Sequence, residues 1–426
     1  MFGGRWRFPL PPSFKSRGVM KNVKLKESSG VWQGGIAKDI TFIVTKDCQL
    51  ACKYCYLVGK NSKERMSLEV AKRAVDYILS HKNDEWFATQ SVVFDFIGGE
   101  PFLEIDLIDS ICDYLKMQMF ELNHHWFNSY RFNITTNGIN FHEDKVQQFI
   151  KKNRNHLGIT ITIDGTEKKH DMNRIYRNGR GSYQNVVRNI PLYLEIYPDA
   201  ATKVTISSAD IPYIHESVLH LFSLGIHEVN INCVFENVWK DGDDKLFEME
   251  LMRLADSIID KDLYKENICS FFNENIGKPI DPVNDNKNWC GAGNMLSIDA
   301  AGDFYPCTRF AQYSLREKKA IKIGNIYEGL NKNIIRPFLA LTRDSQSDTE
   351  CMTCDVAQGC AWCQGENYDA AVTDTIYQRS TAICKMHKAR VRANNYYWNK
   401  LYRKLELEGK REDFERNKRD VKQEIC

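Results

Sequence analysis

The sequence predicts an α/β fold: an open, partial (β/α)6 barrel over residues 38–236, followed by a cysteine-rich C-terminal module. Three observations predict it. Strand-like and helix-like runs alternate through this region, and such alternation implies parallel strands, because each return crossover needs a helix. The repeats fall short of the number that closes a barrel. The 14 cysteines are grouped rather than scattered: Cys48, Cys52 and Cys55 sit together, and Cys290, Cys307, Cys351, Cys354, Cys360, Cys363 and Cys384 form a second group.

The elements follow in order. ITFIVT (40–45) reads as a buried strand rich in β-branched residues. Ser67 is a candidate N-cap, and behind it Ala71, Ala74, Val75, Ile78 and Leu79 share one helical face. SVVFDFI (91–97) is the next strand, followed by a helix face of Ile108, Ile111, Cys112, Leu115 and Met119. Further strands are expected at 130–135, 158–163, 203–207 and 228–235, with helices near 142–153, 184–197 and 215–224. Residues 237–289 read as a mostly helical bridge. A hairpin signal follows, MLSID and DFYPCT around Ala-Ala-Gly302, with Gly302 at the positive-φ position of the turn. Beyond Cys384 the chain is highly charged, and Tyr397, Leu401 and Leu405 recur at helical spacing. The expected domains are an N-terminal arm (1–37), the barrel (38–236), the bridge (237–289), the cysteine module (290–390) and a charged C-terminal helix and tail (391–426).

Composition excludes several classes. Lys+Arg 58 against Asp+Glu 56 gives no electrostatic case for bulk nucleic-acid binding. No apolar run is long enough to span a bilayer, and MFGGRWRFPLPPSFKSR lacks a signal core, so a soluble, cytoplasmic protein is expected. Cysteines in a reducing compartment point to metal or catalysis rather than disulfides.

Cys48-Gln-Leu-Ala-Cys52-Lys-Tyr-Cys55 follows the first strand, where the chemistry of such sheets collects. Three thiolates on one loop can hold three irons of a [4Fe–4S] cube, which normally takes four cysteines, and so leave one iron open. A zinc site with a remote fourth ligand is the alternative on spacing alone. The CxxxCxxC spacing, with Tyr54 before the third cysteine, resembles the radical S-adenosylmethionine (SAM) superfamily. That resemblance implies SAM chelated on the open iron and cleaved to a 5′-deoxyadenosyl radical. Gly98-Gly99-Glu100-Pro101 is similar to the family's GGEP segment, whose carboxylate can pair with the SAM ammonium. Thr136-Asn137-Gly138 resembles its TNG segment. Thr162, Asp164-Gly165, His170-Asp171 and Arg174 resemble an SxDG…HDxxR segment serving the SAM ribose and carboxylate, with Thr162 in place of Ser. Turn and capping chemistry is the alternative for Thr162, Asp164 and Arg174.

The later cysteines resemble a SPASM domain, which carries two auxiliary [4Fe–4S] clusters. The family pattern is a cysteine, GxxxxC, CxxCxxxxxCxxxC and a last cysteine; this chain departs from it with two residues between Cys360 and Cys363. The resemblance implies that Cys351, Cys354, Cys360 and Cys384 ligate one cluster, and that Cys290, Cys307 and Cys363 hold the other. That second cluster either keeps an open iron, which could bind a substrate thiolate, or takes a fourth ligand from elsewhere, such as Cys233, Cys269, an Asp or water. Cys112 on its apolar helix face, Cys233, Cys269 and Cys426 are otherwise read as structural.

Within this architecture, sulfatase-maturating enzymes place an Asp directly after the GxxxxC cysteine as general base, whereas here Thr308 stands there, a residue without a suitable pKa. The pattern looks closest to maturases that install thioether links in ribosomally made Cys-rich peptides, the ranthipeptide and sactipeptide makers. The resemblance implies a precursor peptide with a leader as substrate and an external low-potential electron donor of the flavodoxin or ferredoxin type. The basic, aromatic residues 1–38 are too few for a leader-binding winged-helix domain; they are read as an arm that grips the leader or as a solvated tail. A non-catalytic iron–sulfur or zinc protein is the reading of a different class.

Overall fold

The computed structural model describes residues 37–288 and 290–415. The expected N-terminal arm, apart from residue 37, and the last residues of the tail, with Cys426, lie outside the described residues.

Six parallel strands form the barrel: β1 (Ala37–Thr45), β2 (Ser91–Gly98), β3 (Tyr130–Thr136), β4 (Leu157–Thr162), β5 (Ala201–Ile206) and β6 (Glu228–Cys233). Neighbours in sequence are parallel neighbours in the sheet, each return being made by a helical crossover. Each helix exists for the reason its sequence gives. Leu68–Ser80 begins where the Ser67 side chain accepts a hydrogen bond from the Val70 N–H, and it buries Ala71, Ala74, Val75, Ile78 and Leu79. Ile105–Glu121 buries Ile108, Ile111, Cys112, Leu115 and Met119 against the same sheet. Every residue of β1 is buried, consistent with a strand covered on both faces.

Four features differ from the sequence reading. The helix expected over 184–197 is two short ones, Tyr183–Val187 and Ile190–Ile196. Pro191 falls in the first turn of the second, where its missing N–H costs nothing. At the join, Asn189 donates to the carbonyls of Gly138 and Ile139, which ties the break to the end of β3. The bridge is helical only in its first half, Asp243–Asp260; it then contributes β7 (Ile268–Cys269), which pairs parallel with β6.

The third difference concerns the cysteine module. Its hairpin, β8 (Leu296–Ile298) and β9 (Asp303–Tyr305), is not a separate layer. β8 pairs parallel with the free edge of β1, with Ile40, Thr41 and Phe42 opposite Leu296, Ser297 and Ile298. With β10 (Gly324–Asn325) and β11 (Gly329–Leu330), the described residues form one eleven-stranded sheet. Gly302 turns the hairpin at φ +82°, as the sequence required. This pairing covers the parallel edge of β1 and fixes the module to the side of the barrel.

The last long helix, Cys384–Leu407, runs parallel to Asp243–Asp260 and packs on it, with Tyr397, Leu401 and Leu405 on its buried face. Polar bonds seal the seam: Tyr396 Oη donates to Asp256 at 2.7 Å, and Lys404 Nζ to Asp262 at 2.6 Å. The boundary expected at residue 390 falls inside this continuous helix. No described helix is long and apolar enough to cross a membrane.

Candidate active site

The motif residues converge at the C-terminal ends of the barrel strands. Cys48, Cys52 and Cys55 lie on the loop after β1, Gly98–Pro101 at the end of β2, Thr136–Gly138 at the end of β3, and Thr162–Gly165 at the end of β4.

The two glycines of the second motif exist for proximity. A Cβ on Gly98 would lie 2.2 Å from the Thr45 carbonyl oxygen, and one on Gly99 would lie 2.1 Å from that of Asp47. Close approach lets the Gly99 N–H donate to Thr45 O at 2.9 Å and the Glu100 N–H to Asp47 O at 2.8 Å, which anchors the cysteine loop to β2. Gly99→Ala is expected to push the two backbones apart. The expected outcome is a loss of about 1–3 kcal/mol in denaturant unfolding, together with lower iron retention than wild type after reconstitution.

Glu100 is buried and its carboxylate accepts three hydrogen bonds: from Thr136 Oγ1 at 2.6 Å, Asn137 N at 2.7 Å and Phe102 N at 3.1 Å. Burial pushes its pKa up against these donors. A carboxylate offers about four acceptor positions, so one remains for a ligand cation. Asn137 reaches back to the cysteine loop through Gln49 Oε1 at 3.0 Å. Gln49, which sequence reasoning passed over, also donates to Asn140 at 2.8 Å.

Tyr54 and Arg174 meet across the site. Arg174 Nη1 donates to Tyr54 Oη at 3.0 Å, and Tyr54 Oη donates to Asp164 Oδ2. Behind them lies a fully buried network centred on a lysine that sequence reasoning passed over. Lys169 Nζ stands 3.7 Å from both Asp164 and Asp210 and donates to the Thr205 carbonyl at 2.8 Å. Lys169 and the neighbouring cationic groups hold the Asp164 carboxyl below its usual range, although burial, the largest influence, acts the other way. His170 Nδ1 accepts from the Asp164 N–H at 3.2 Å, so its Nε2 carries the proton toward Ser182 Oγ, which donates to the Arg174 carbonyl. Burial holds His170 neutral, lowering its pKa to about 3. Arg174 Nε is buried without a partner. An orphaned guanidinium N–H beside Tyr54 suits an anionic ligand group. Thr162 is buried at the end of β4.

The cysteines fall into three sets, each within electrostatic reach of its own members. Cys48 feels Cys52, and Cys52 feels Cys55. Cys307 feels Cys290 and Cys363. Cys360 feels Cys384 and Cys354, and Cys351 feels Cys360. Cys351, Cys354, Cys360 and Cys384 line one cavity of about 390 Å³. Burial pushes Cys48 and Cys290 up to about 12, so their thiolates need a cationic partner, which metal ions supply. Among the described residues no three His, Cys, Asp or Glu side chains converge on a single-ion site; a cube instead takes one thiolate per iron, so its ligands share no common point. The donor set fits iron–sulfur cubes. So do two buried N–H groups without partners on the segments around the four-cysteine set, Arg343 Nε and Trp362 Nε1, since cube sulfides accept hydrogen bonds. Cys233 and Cys269 instead act on buried Arg390, which donates to the carbonyls of Ser270 and Phe271.

A partial α/β barrel whose strand ends gather three cysteines, a buried carboxylate and an arginine with an unpartnered N–H suits a charged cofactor held on a metal cluster. Residues 42–209 match the family model described as the radical SAM superfamily. The chain carries a radical SAM domain and is a radical SAM enzyme. It is 26% identical over 295 residues to an uncharacterized protein of Methanocaldococcus jannaschii, 68% of this chain and 92% of that one. It is 23% identical over 347 residues to the serine-type anaerobic sulfatase-maturating enzyme of Bacteroides thetaiotaomicron, covering 74% of this chain and 78% of that one. Two solved structures share its fold. Native anSMEcpe with bound AdoMet and the Cp18Cys peptide matches with TM-score 0.63 at 17% identity, over 86% of this chain and 98% of that one. Streptococcus suis SuiB bound to precursor peptide SuiA matches with TM-score 0.54 at 15% identity, over 82% and 76%. The fold is thus that of SPASM-type radical SAM maturases.

Proposed function

We propose that this enzyme installs thioether crosslinks in a ribosomally made, Cys-rich precursor peptide. Cys48, Cys52 and Cys55 hold the SAM-binding [4Fe–4S] cluster, and the seven later cysteines hold two auxiliary ones. The observation that carries the peptide reading is the docking of the cysteine module on the barrel: β8 pairs with β1, and Tyr56, next to Cys55, lies within electrostatic reach of Cys307 and Cys363. Bound on its cluster, SAM supplies a 5′-deoxyadenosyl radical that removes a hydrogen atom from a substrate carbon. The chain's own residues orient it. Glu100 offers its remaining acceptor position to the SAM ammonium, Arg174 offers its free N–H to the carboxylate, and Asn137 and Tyr54 line the space between. SuiB, described with its precursor peptide bound, lends a peptide substrate support.

A second reading, sulfatase maturation, is favoured by the kinship with the Bacteroides enzyme. Thr308 argues against it: its hydroxyl pairs with Ser297 Oγ at 3.3 Å and takes up no substrate proton at neutral pH. The test is the mass of a short Cys-rich peptide encoded beside this gene, after anaerobic co-expression. Loss of two hydrogens per link, with fewer alkylatable thiols, is expected. An unchanged mass in a preparation that still cleaves SAM sinks the thioether reading and directs the search to sulfatase peptides.

A further inference from the structure

The two auxiliary cysteine sets sit in opposite electrostatic surroundings. Beside Cys290, Cys307 and Cys363, the guanidinium of Arg309 is neutralised: it bonds Glu236 at 2.8 Å and lies 3.5 Å from Glu366. Arg316 adds a second guanidinium there, but it is bound to Glu366 at 2.7 Å and Asp369 at 2.8 Å. Three carboxylates therefore face two cations.

Beside Cys351, Cys354, Cys360 and Cys384 the arginines bond a cysteine sulfur, a hydroxyl and a carbonyl. Arg379 donates through Nη2 to Cys360 Sγ at 3.2 Å and through Nη1 to Ser347 Oγ at 3.3 Å. Arg343 donates to the Ala357 carbonyl, and its Nε is buried with no partner. Both guanidiniums lie over the Trp362 ring, at 5.0 Å and 5.3 Å from its centroid, which fixes their planes beside the thiolates. Lys388 stands on the same cavity wall, shared with Glu350 at 3.7 Å. Asp285 acts on Arg343 only as a lesser influence.

Reducing a cube adds one negative charge, and N–H donors and cations beside its sulfurs favour that state. We propose that Arg379 is a positioning residue that raises the reduction potential of the four-cysteine cluster above that of the three-cysteine cluster, so that an electron left by substrate oxidation passes outward. The transfer is a single electron: the three-cysteine cube is oxidised, the four-cysteine cube is reduced, and an external carrier of the flavodoxin or ferredoxin class finally takes the electron. This rests on the cluster assignment proposed above.

The test is a potentiometric titration read by electron paramagnetic resonance. It uses the anaerobically reconstituted full chain with Cys48, Cys52 and Cys55 replaced by Ala, so that only auxiliary signals remain. Two waves are expected, and Arg379→Met should move the higher one to more negative potential while leaving the lower in place. The loss of one charge-assisted hydrogen bond corresponds to about a tenfold or larger change in the electron's distribution between the cubes. Arg379→Lys keeps the charge without the planar fork and should restore part of the shift. The proposal is overturned if Arg379→Met and Arg379→Lys leave both waves unmoved, or move only the lower. Iron and sulfide content unchanged when Cys351, Cys354, Cys360 and Cys384 are all replaced by Ala overturns it differently, by removing the four-cysteine cluster itself.

Discussion

Replacing Cys48, Cys52 and Cys55 together by Ala is expected to abolish reductive cleavage of SAM, a loss on the order of 10³-fold or more, because the radical chemistry belongs to the cofactor and no protein side chain substitutes for it. The loop that carries the three thiolates is held by backbone bonds that the substitution does not touch: Ala51 N to Ile175 O, Lys53 N to Asn173 O, and Glu100 N to Asp47 O. The fold should therefore survive, with an unchanged circular dichroism spectrum and an iron content lower by one cube. Cys384→Ala provides the contrast. It removes a ligand of the outermost set, so SAM cleavage should persist while crosslinked product falls. Reductive cleavage retained in the triple variant would defeat the assignment of the radical-generating cluster.

The parts legible in the sequence were those with a local signature. A buried strand followed by CxxxCxxC, glycines at a strand end and a turn glycine at Gly302 each carry their reason within a few residues, and the structure puts them where that reason demands. The apolar faces behind Ser67 and from Ile108 to Met119 were equally plain, because helical periodicity is itself the packing rule. What stayed hidden depends on partners far apart in the chain. β8 joins β1 across more than half the sequence, and a strand of three residues announces no partner. Arg379 reaches Cys360 while lying over the Trp362 ring, and arginines in a polar loop look alike in sequence. Lys169 was invisible for a related reason. A lysine beside His170 reads as surface charge until the fold buries it between β4 and the turn after β5.

That buried lysine carries the second large effect. Lys169→Met is expected to destabilise the protein by about 3–5 kcal/mol, the usual result of breaking a buried ion pair from one side. Asp164 and Asp210 stay behind with their other partners. Asp210 keeps Asn173 at 2.6 Å and the Ser207 N–H at 2.7 Å, and Asp164 keeps Tyr54 and the Thr205 N–H at 3.2 Å. Neither keeps a full counter-charge in the site, apart from Arg174 acting through Tyr54. The pH dependence gives the mechanism its sign. The folded pKa of Asp164 lies below the ordinary value of 3.8, so its stabilisation is complete above that value and is lost as pH falls through the folded pKa. The gap between wild type and Lys169→Met should therefore be full at neutral pH in denaturant unfolding and narrow below about pH 4, as the Asp164 carboxylate takes up a proton. A simple loss of packing would give a gap that ignores pH. Because Tyr54 leans on Asp164, a variant that still folds should also bind SAM more weakly at neutral pH, which equilibrium dialysis of the reconstituted enzyme can measure. Lys169→Arg is no rescue: a side chain with no exposed surface has no room for the larger head group, and its stability should fall by about 1–3 kcal/mol through overpacking alone.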